Sequence, residues 1–336
     1  SQLLILFLIC VSLNLDGARD CSSLLGGILR QGSSAYCGFD PTSDSLHVGN
    51  ILPIILLLHL QQRGVTPIVV IGDITAKIGD PSGRLTERDS VHEDAIQQNC
   101  LGIEDNIRTI VYNFKKFIND SGSLPDIQLV RNSSWYRTQD FTYFVATIER
   151  SFRLGKMLAR ESVRQRLNSP DGMSIAEFSY QVFQAYDWLK LYEQYGCHLQ
   201  IGGQDQMGNI EGGHDLIKRF HNENSFGLMT PLLTTQSGEK FGKTAGNAVW
   251  LSARKTSPSD LYRFFLNISD VEAERFIHLF SFSDDKAIEE LLKVHKKSPQ
   301  KRVCQSKVAR DMTLLIHGQE GLLEATRRDS DSILEC

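Results

Sequence analysis

Residues 36–50 constrain the fold of this chain more than any other stretch, because they read as a buried strand that runs through a turn into an apolar helix. Residues 35–39 are apolar and aromatic, and residues 40–44 are rich in turn-forming residues. The helix is predicted to have Asp44 or Ser45 as its N-cap and to stop at Gly64. Unpaired backbone N–H groups gather at such a helix start, so the stretch predicts an anion or nucleotide site.

A second strand and its connection predict the fold class. Residues 67–73 form an apolar run typical of a buried parallel strand, which leads into the loop of residues 75–83. Strand, helix and strand in this order form the unit of a doubly wound sheet, whose ligands bind at the carboxyl ends of the strands. Strands are also predicted at residues 127–130 and 198–201, and residues 256–317 have a helical pattern. The sequence thus predicts an α/β fold with a Rossmann-like, doubly wound parallel-sheet catalytic domain followed by an α-helical domain.

Two short motifs, about 190 residues apart, carry groups suited to a nucleotide. His47 and Asn50 are spaced i, i+3 at the helix start, and Gly49 between them leaves room for a flat base or sugar against the backbone. Alone, this pattern is more typical of a capped helix with two polar residues in its first turn. The second motif places Lys240 and Lys243 in a glycine-rich loop, where flexible ammonium groups suit a mobile clamp on phosphates.

The helix predicted to begin at Ser174 has a distinctive polar face. Tyr180, Gln184 and Asp187 are spaced i, i+4, i+7 and therefore share one side of the helix. A phenol, an amide and a carboxylate on one stripe favour a ligand pocket. A buried network in which these groups bond only to one another explains the pattern equally well.

Size and composition allow a catalytic domain with a second domain attached. The chain has 336 residues, of which 41% are hydrophobic, and a net charge of −4. A nucleic acid would therefore be held by local basic patches and not by an overall positive field. The seven cysteines include no Cys-x-x-Cys pair, which argues against a zinc site or a disulfide framework and fits a reducing compartment.

The N-terminal segment does not fit the rest of the pattern. Residues 3–13 form an apolar run of 11 residues, which is too short to span a bilayer, and no basic residue precedes it. We expect residues 1–20 to be foreign, mispredicted or disordered, with a secretory signal as the alternative. Residues 24–32 suit an amphipathic helix that precedes the first strand, and no membrane association is predicted.

Five short sequence motifs together resemble those of one family. They are residues 36–42 (YCGFDPT), 79–83 (GDPSG), 184–187 (QAYD), 201–206 (IGGQDQ) and 240–244 (KFGKT). In order and spacing they resemble tyrosyl-tRNA synthetases of the bacterial and mitochondrial type. These are class I aminoacyl-tRNA synthetases, whose signatures are His-x-Gly-His/Asn and Lys-x-x-Lys-Ser/Thr. The resemblance runs from about residue 34 to about residue 327.

The resemblance implies roles for residues in these motifs and for others elsewhere in the chain. The catalytic residues would be Thr42, His47, Asn50, Lys240, Lys243 and Thr244. The tyrosine-binding residues would be Tyr36, Asp80, Asn132, Tyr180, Gln184, Asp187 and Gln206. The ATP-binding residues would be Asp40, Gly49, Arg84, Arg88, Gly203 and Asp205. Asn50 replaces the second His of the commonest signature, but it keeps a donor, so its contact with ATP is expected to survive.

Basic residues in two places are the expected tRNA contacts. Cations that recur at spacings of three and four predict one helical stripe: Arg150, Arg153, Lys156, Arg160 and Arg164. Such a stripe is more often only a solvated helix face. The resemblance nevertheless implies that Arg160 and Arg164, with Lys218 and Arg219, lie near the acceptor arm of the tRNA.

The resemblance also implies a domain organisation and partners. The expected parts are a leader with an N-terminal helix (1–33), the Rossmann-like domain (34–235), a mobile loop with a linker (236–255) and a helical anticodon-side domain (256–336). The usual C-terminal RNA-binding domain is expected to be absent, which puts tRNA charging in question. The implied partners are L-tyrosine, ATP with Mg²⁺, tRNA(Tyr) and a second copy of the chain in a homodimer. No metal site on the protein is expected, and the implied location is the mitochondrial matrix.

Two other functions fit parts of the pattern. A truncated paralogue could bind structured RNA without charging it, but the retention of both signature motifs argues against a dead site. A nucleotidyl transferase built on the same signature could modify another acceptor, but Tyr180, Gln184 and Asp187 on one helix face favour an amino-acid pocket. Tyrosine–tRNA ligase is therefore the predicted function.

Overall fold

A six-stranded sheet with helices on both faces forms the centre of the molecule. The structure is a computed structural model that describes residues 9–11, 32–84, 86–88, 91–119, 122–234, 241–244 and 247–334. The strands are β1 (Ile9–Val11), β2 (Ser34–Phe39), β3 (Thr66–Ile71), β4 (Gln128–Arg131), β5 (Cys197–Gly203), β6 (Phe226–Thr230), β7 (Lys243–Thr244) and β8 (Asn247–Ala248).

The α-helices surround the sheet and fill the second half of the chain. They are α1 (Ile51–Gln61), α2 (Glu93–Asn113), α3 (Ser133–Tyr136), α4 (Phe141–Tyr143), α5 (Leu154–Leu158), α6 (Glu161–Leu167), α7 (Ile175–Tyr195), α8 (Met207–His221), α9 (Pro258–Leu266), α10 (Asp270–Phe280), α11 (Asp285–Lys297) and α12 (Val303–Leu334). Short 3-10 segments are Val48–Asn50, Thr75–Lys77, Glu149–Ser151, Gln204–Gln206 and Pro299–Lys301, and π-helical segments are Phe114–Ile118 and Phe144–Ile148. Among the described residues, no helix is both long and apolar enough to cross a bilayer.

The strand order confirms the predicted doubly wound fold. The order is β1-β6-β5-β2-β3-β4, and strands β2 to β6 run parallel to their neighbours among themselves. At one edge the backbone of Ile9–Val11 pairs antiparallel with β6. The expectation that residues 1–20 are foreign, mispredicted or disordered is corrected in one respect, because Ile9–Val11 form a strand of the sheet. Residues 1–8 and 12–31, with almost all of the predicted N-terminal helix, lie outside the described residues.

Successive side chains of each strand lie on opposite faces of the sheet, so the sheet contributes to two cores. Cys37 and Val69 pack with α1 and α2 on one face of the sheet, whereas Tyr36 and Ile68 pack with α7 and α8 on the other. Strand β3 is buried on both faces, which explains its almost continuous apolar sequence. Tyr36 is thereby directed to the face covered by α7, the helix that was predicted to begin at Ser174 and begins at Ile175 with Ser174 as its N-cap.

The helices after residue 257 share a core with the sheet. One continuous set of buried side chains extends from β2 and α1 through α2 to α9, α10 and α12. Phe241 lies between the two motif lysines, in the predicted glycine-rich segment 236–246 that is here called the Lys loop. Its ring packs among Phe264, Phe265 and Phe276 with centroids 4.9, 6.1 and 4.4 Å away. The last helix runs beyond its predicted end at residue 317, and it bends at Gly318, where φ is 68°.

Two local predictions are wrong. The N-cap at the start of the helical segment 48–61 is His47, whose Nδ1 accepts a hydrogen bond from Gly49 N at 3.0 Å, and not Asp44 or Ser45. The basic residues 150–164 do not form one stripe, because they belong to the separate short helices Glu149–Ser151, Leu154–Leu158 and Glu161–Leu167. Extended backbone at residues 152–153 and 160 turns the chain between these helices, so sequence spacing does not bring the cations to one face.

Candidate active site

Polar residues follow the carboxyl ends of four strands. Asp40 comes directly after β2, Asn132 directly after β4, and Asp205 two residues after β5. Thr75 opens the short helix after β3. Because the carboxyl ends of parallel strands meet at one edge of a sheet, these side chains gather there beside helix α7.

One chain of hydrogen bonds connects two residues of α7 to each other through residues at the carboxyl ends of β2, β3 and β4. The Tyr180 hydroxyl donates to Asp40 Oδ2 at 2.8 Å, and Thr75 Oγ1 donates to Asp40 Oδ1 at 2.7 Å. The Asn132 amide donates to Thr75 Oγ1 at 3.1 Å and to Asp187 Oδ2 at 3.2 Å. This chain fixes the polar face of α7 against the ends of β2, β3 and β4.

Asp187 lies beside polar groups that have no partner. Trp135 Nε1 donates to Asp187 Oδ1 at 2.9 Å, and the residue is 6% exposed. The Tyr36 hydroxyl is buried without a hydrogen-bond partner, and its pKa is raised well above the usual value, mainly by burial and then by the Asp187 charge. Gln200 Oε1, on the strand position in register with Tyr36, is also buried and unpaired. A hydroxyl group on a ligand would satisfy such groups.

A second chain of hydrogen bonds joins the loop after β3 to α8 and α7. Asp80 accepts hydrogen bonds from Ser82 N at 2.9 Å and from the Gln206 amide at 2.7 Å. The Asn209 amide donates to Gln206 Oε1 at 3.2 Å and to Gln184 Oε1 at 2.9 Å. The structure thus brings together Asp80, Gln184 and Gln206, which are far apart in the sequence.

The site gathers three carboxyl groups, of which Asp80 and Asp187 are buried and Asp40 is partly buried. Burial raises the pKa of Asp187 from 3.8 to about 7, although its hydrogen bonds act in the opposite direction. Burial also raises the pKa of Asp40 to about 6 and raises that of Asp80. The charge of Arg88 lowers the Asp40 pKa by less than burial raises it. In the part of the chain that the structure describes, no Lys or Arg forms an ion pair with these three carboxylates, so the site favours a cationic ligand.

The signature turn (residues 40–50) is built tightly around Gly49. A Cβ there would lie 2.8 Å from His47 Cε1 and 3.6 Å from the Phe241 carbonyl oxygen. The Asn50 side-chain oxygen accepts a hydrogen bond from His47 N at 3.1 Å, a bond that does not use the amide nitrogen. Thr42 is exposed on the same turn. The turn therefore presents a hydroxyl, an imidazole and an amide next to the helix start.

Gly242 of the Lys loop lies against the signature turn. Gly242 has a φ of 89°, and a Cβ on it would approach Gly49 N to 3.1 Å. The Val48 N–H donates to Val249 O, and the Val249 N–H donates to Gly242 O, both at 2.8 Å. The two motifs that are far apart in the sequence therefore meet through their backbones.

The lysines of the Lys loop are described only in part. Lys243 and Thr244 form β7, which pairs antiparallel with β8. Lys240 lies outside the described residues. The backbone of this motif is therefore located, while the positions of its lysine side chains stay predictions.

Other predicted ATP residues border the same edge of the sheet. Arg88 Nε donates to the Asp80 carbonyl oxygen at 3.3 Å, and Arg84 is exposed. Gly203 ends β5, and a side chain there would overlap the Asp205 carboxylate. Asp205 is exposed, as an acceptor for the hydroxyls of a sugar must be.

The predicted tRNA contacts differ in exposure. Arg164, Lys218 and Arg219 are exposed, whereas Arg160 is partly buried and donates to Gln181 Oε1. Burial lowers the pKa of Arg160, and its side chain lies against two glycines of α8. Arg160 therefore connects α7 with α8, and the other three residues present exposed cations to solvent.

Sequence reasoning missed four polar residues of the site. Thr75 and Trp135 each lie four residues past the end of a strand, a position that could have marked them. Gln200 is a polar residue inside an apolar strand, which is a further usable signal. Asn209 lies within a helix and has no local signal, because only the fold brings it to residues 184 and 206.

Comparison with known proteins identifies the family. The profile of the family described as tRNA synthetases class I (W and Y) matches residues 30–333. The mitochondrial tyrosine–tRNA ligase of Drosophila melanogaster is 48% identical over 299 residues, which are 88% of this chain and 64% of that protein. The mitochondrial tyrosine–tRNA ligase of Homo sapiens is 44% identical over 292 residues, which are 87% of this chain and 61% of that protein.

A solved structure of a related protein has the same fold. The C-terminally truncated mitochondrial tyrosyl-tRNA synthetase of Aspergillus nidulans superposes with a TM-score of 0.81 at 29% identity, over 89% of this chain and 85% of that chain. The chain spans 64% and 61% of the lengths of the two relatives named above, which is less than two-thirds. Because the family profile extends over residues 30–333, this chain belongs to the class I tRNA synthetases of the W and Y group.

Proposed function

We propose that this protein is a tyrosine–tRNA ligase, which activates L-tyrosine with ATP and transfers it to tRNA(Tyr). The observation that carries the proposal is a site at the carboxyl edge of the sheet, where the buried Asp80 and Asp187 and the partly buried Asp40 lie near a buried phenol without a partner. Such a site suits a ligand with both an ammonium and a hydroxyl group. The names of the two relatives above support tyrosine as that ligand.

The substrate hydroxyl is assigned to Asp187 and Tyr36. Ionised Asp187 would accept its proton in a hydrogen bond, and the Tyr36 hydroxyl would gain the partner that it lacks. Asn132 orients Asp187 from the side. Phenylalanine would leave the same buried groups unpaired, and sites of this kind reject such an analogue by about 10⁵-fold, a figure taken from tyrosyl-tRNA synthetases themselves.

The substrate ammonium is assigned to the other end of the pocket, where Asp80, Tyr180 and Gln184 lie. Asp40 adds negative charge behind the Tyr180 hydroxyl, which donates to it. An ammonium in this partly dry site would lower the cost of keeping the carboxylates ionised. Gln206, bonded to Asp80, is assigned to the reacting carboxylate of tyrosine.

Activation needs no nucleophile or base from the protein. A carboxylate oxygen of tyrosine attacks the α-phosphorus of ATP, the bond to the bridging oxygen breaks, and pyrophosphate leaves. The protein contributes positioning and charge stabilisation. We assign Thr42 and His47 to the phosphates, and Lys240 and Lys243 to the departing pyrophosphate.

The remaining ATP contacts follow from the edge of the sheet. Gly49 and Asn50 would face the base and sugar at the helix start, Gly203 and Asp205 the ribose, and the exposed Arg84 the phosphates. ATP is expected to bring Mg²⁺ on its phosphates. In the described ranges, no group of three or more His, Cys, Asp or Glu side chains is arranged to hold a metal.

Transfer to tRNA would follow at the same pocket. A terminal ribose hydroxyl of tRNA attacks the carbonyl carbon of tyrosyl-adenylate, and AMP leaves. The exposed Arg164, Lys218 and Arg219 would neutralise phosphates of the acceptor arm. We further propose that part 34–235 carries activation and the acceptor-arm contacts, part 236–255 the Lys loop with its linker, and part 256–336 the contacts on the anticodon side of the tRNA.

A homodimer in the mitochondrial matrix is proposed as the working form. Segment 141–175 carries large apolar side chains in water, with Phe141 80%, Leu154 62% and Ile175 85% exposed. Exposed apolar surface of this size is typical of a protein interface. The location rests on the mitochondrial names of both relatives.

Tyrosine-dependent exchange of labelled pyrophosphate into ATP tests the activation step. The purified chain should catalyse exchange with tyrosine and none above background with phenylalanine. Equal exchange with both amino acids would remove the tyrosine pocket assignment. A folded protein without exchange that still retains tRNA on a filter would instead support a non-charging RNA-binding function.

A further inference from the structure

Helix α2 carries a stripe of asparagine and glycine residues on the side that contacts the signature turn and α12. Asn99, Gly102, Asn106 and Asn113 are spaced by three, four and seven residues and therefore share one face. The Asn99 amide donates to Pro41 O at 2.9 Å, and a Cβ on Gly102 would overlap the Asp44 carbonyl oxygen. The backbone of α2 thus lies directly against the backbone of the signature turn.

Asn106 makes the central contact of this stripe. Its Oδ1 accepts a hydrogen bond from Leu46 N at 2.9 Å and another from Ser45 Oγ at 2.9 Å, and the residue is 7% exposed. Leu46 directly precedes His47. One buried amide oxygen therefore holds the backbone immediately before the imidazole of the signature turn.

Ser45 extends this contact to the segment that leaves the Lys loop. Its Oγ accepts a hydrogen bond from Ser252 N at 3.1 Å, and the Leu251 N–H donates to Leu46 O at 2.8 Å. Asn106, Ser45 and the backbone of Ser252 thus form a continuous hydrogen-bonded connection between three segments. The signature turn and the exit of the Lys loop share it.

The far end of the same stripe serves a different contact. The Asn113 amide donates to Leu315 O at 3.1 Å, next to the bend of α12 at Gly318. Asn113 lies seven residues from Asn106, or about 10 Å along the helix at 1.5 Å per residue. It is equally buried, at 4% exposed, so it offers a matched control on the same helix face.

We propose that Asn106 and Ser45 are positioning residues, which set the signature turn and the exit of the Lys loop relative to each other for the activation step. The inference rests on the proposed function. Removing the amide oxygen leaves the Leu46 N–H without a buried partner and leaves the Ser45 hydroxyl with Leu46 O, at 2.8 Å, as its acceptor. The turn then shifts to regain a partner for the Leu46 N–H. Displacement of a positioning group by about 1 Å can cost about 100-fold in rate.

The test compares N106L with N113L, because both replace a buried amide by an apolar side chain of similar size. In N106L, the rate of tyrosyl-adenylate formation should fall by about 10- to 100-fold while the tyrosine dissociation constant is unchanged. In N113L, thermal stability should fall to a similar degree while the activation rate stays within about twofold, since distant sites act independently. N106D keeps the acceptor oxygen and should recover most of the lost rate.

A double-mutant cycle with H47A separates positioning from general destabilisation. If Asn106 acts through the turn, N106L should cost much less rate in the H47A background than in the wild type. Fully additive losses, or equal rate losses in N106L and N113L, would overturn the inference. If N106L does not fold, S45A removes the other side chain of this connection. S45A must then lower the rate of tyrosyl-adenylate formation while the tyrosine dissociation constant is unchanged.

The controls also separate this inference from the proposed function. Absence of tyrosine-dependent exchange in the wild type would refute the proposed function, and the inference would fall with it. Normal exchange in the wild type together with wild-type rates in N106L and S45A would refute the inference alone.

Discussion

Replacing Asp187 by Asn should make the stability of the protein less sensitive to rising pH. Burial raises the pKa of this carboxyl from 3.8 to about 7 in the folded chain, whereas the unfolded chain exposes it to water. The folded state therefore prefers the protonated form. The stabilisation is fully present below the unfolded pKa and is lost as pH rises through about 7.

The size of the effect follows from the two pKa values. A difference of about three units at 1.36 kcal/mol per unit corresponds to about 4 kcal/mol of unfolding free energy. The Asn side chain would also turn an NH₂ group toward Asn132 or Trp135, which are both donors, at a cost of about 1–3 kcal/mol. That cost does not change with pH, so it cancels when the pH dependence of the difference is taken.

Urea unfolding of the wild type and D187N between about pH 4 and pH 8 measures this difference. The unfolding free energy of D187N minus that of the wild type should rise by about 4 kcal/mol between about pH 4 and pH 7 and then level off. A difference that is constant, or that falls with rising pH, would refute the argument from burial. Added tyrosine should stabilise the wild type and have little effect on the variant.

Three further predictions test other parts of the site. Y36F removes a buried hydroxyl without a partner, so it should raise the unfolding free energy of the ligand-free protein by about 1 kcal/mol and weaken tyrosine binding, both measurable by calorimetry. A less stable ligand-free variant would mean that the hydroxyl is bonded. H47A should raise the activation barrier by about 2–4 kcal/mol with unchanged tyrosine affinity in stopped-flow fluorescence, and a large loss of tyrosine binding would contradict its assignment to phosphate. I175D places a charge at an 85% exposed apolar position and should convert the dimer to monomer in sedimentation, whereas a wild type that is already monomeric at micromolar concentration would contradict the dimer.

Much of the fold was predictable because its signals are local. Strand β3 lies within the predicted strand 67–73 except for its first residue. Helix α7 begins one residue after the predicted start at Ser174, whose side chain accepts a hydrogen bond from Glu177 N at 3.1 Å. The spacing of Tyr180 and Asp187 correctly predicted that they share one helix face. Each of these features depends on neighbours within a few residues.

The rest depends on contacts between distant segments. Asn209 and Asn106 are ordinary helix residues in the sequence, and only packing places them on the pocket and on the signature turn. The predicted basic stripe assumed one continuous helix, and the extended residues between the short helices made that assumption wrong. The N-cap was misplaced because a histidine ring, a rare capping group, took the role expected of Asp44 or Ser45.

The core shared by the sheet and the C-terminal helices limits how this protein can be divided. A fragment that ended at residue 235 would expose the apolar sides of α1 and α2, against which α9, α10 and α12 pack. Such a fragment should aggregate and not behave as an isolated nucleotide-binding module. Chimaeras with related chains should therefore exchange the sheet together with its C-terminal helices, and thermal unfolding should proceed in a single transition.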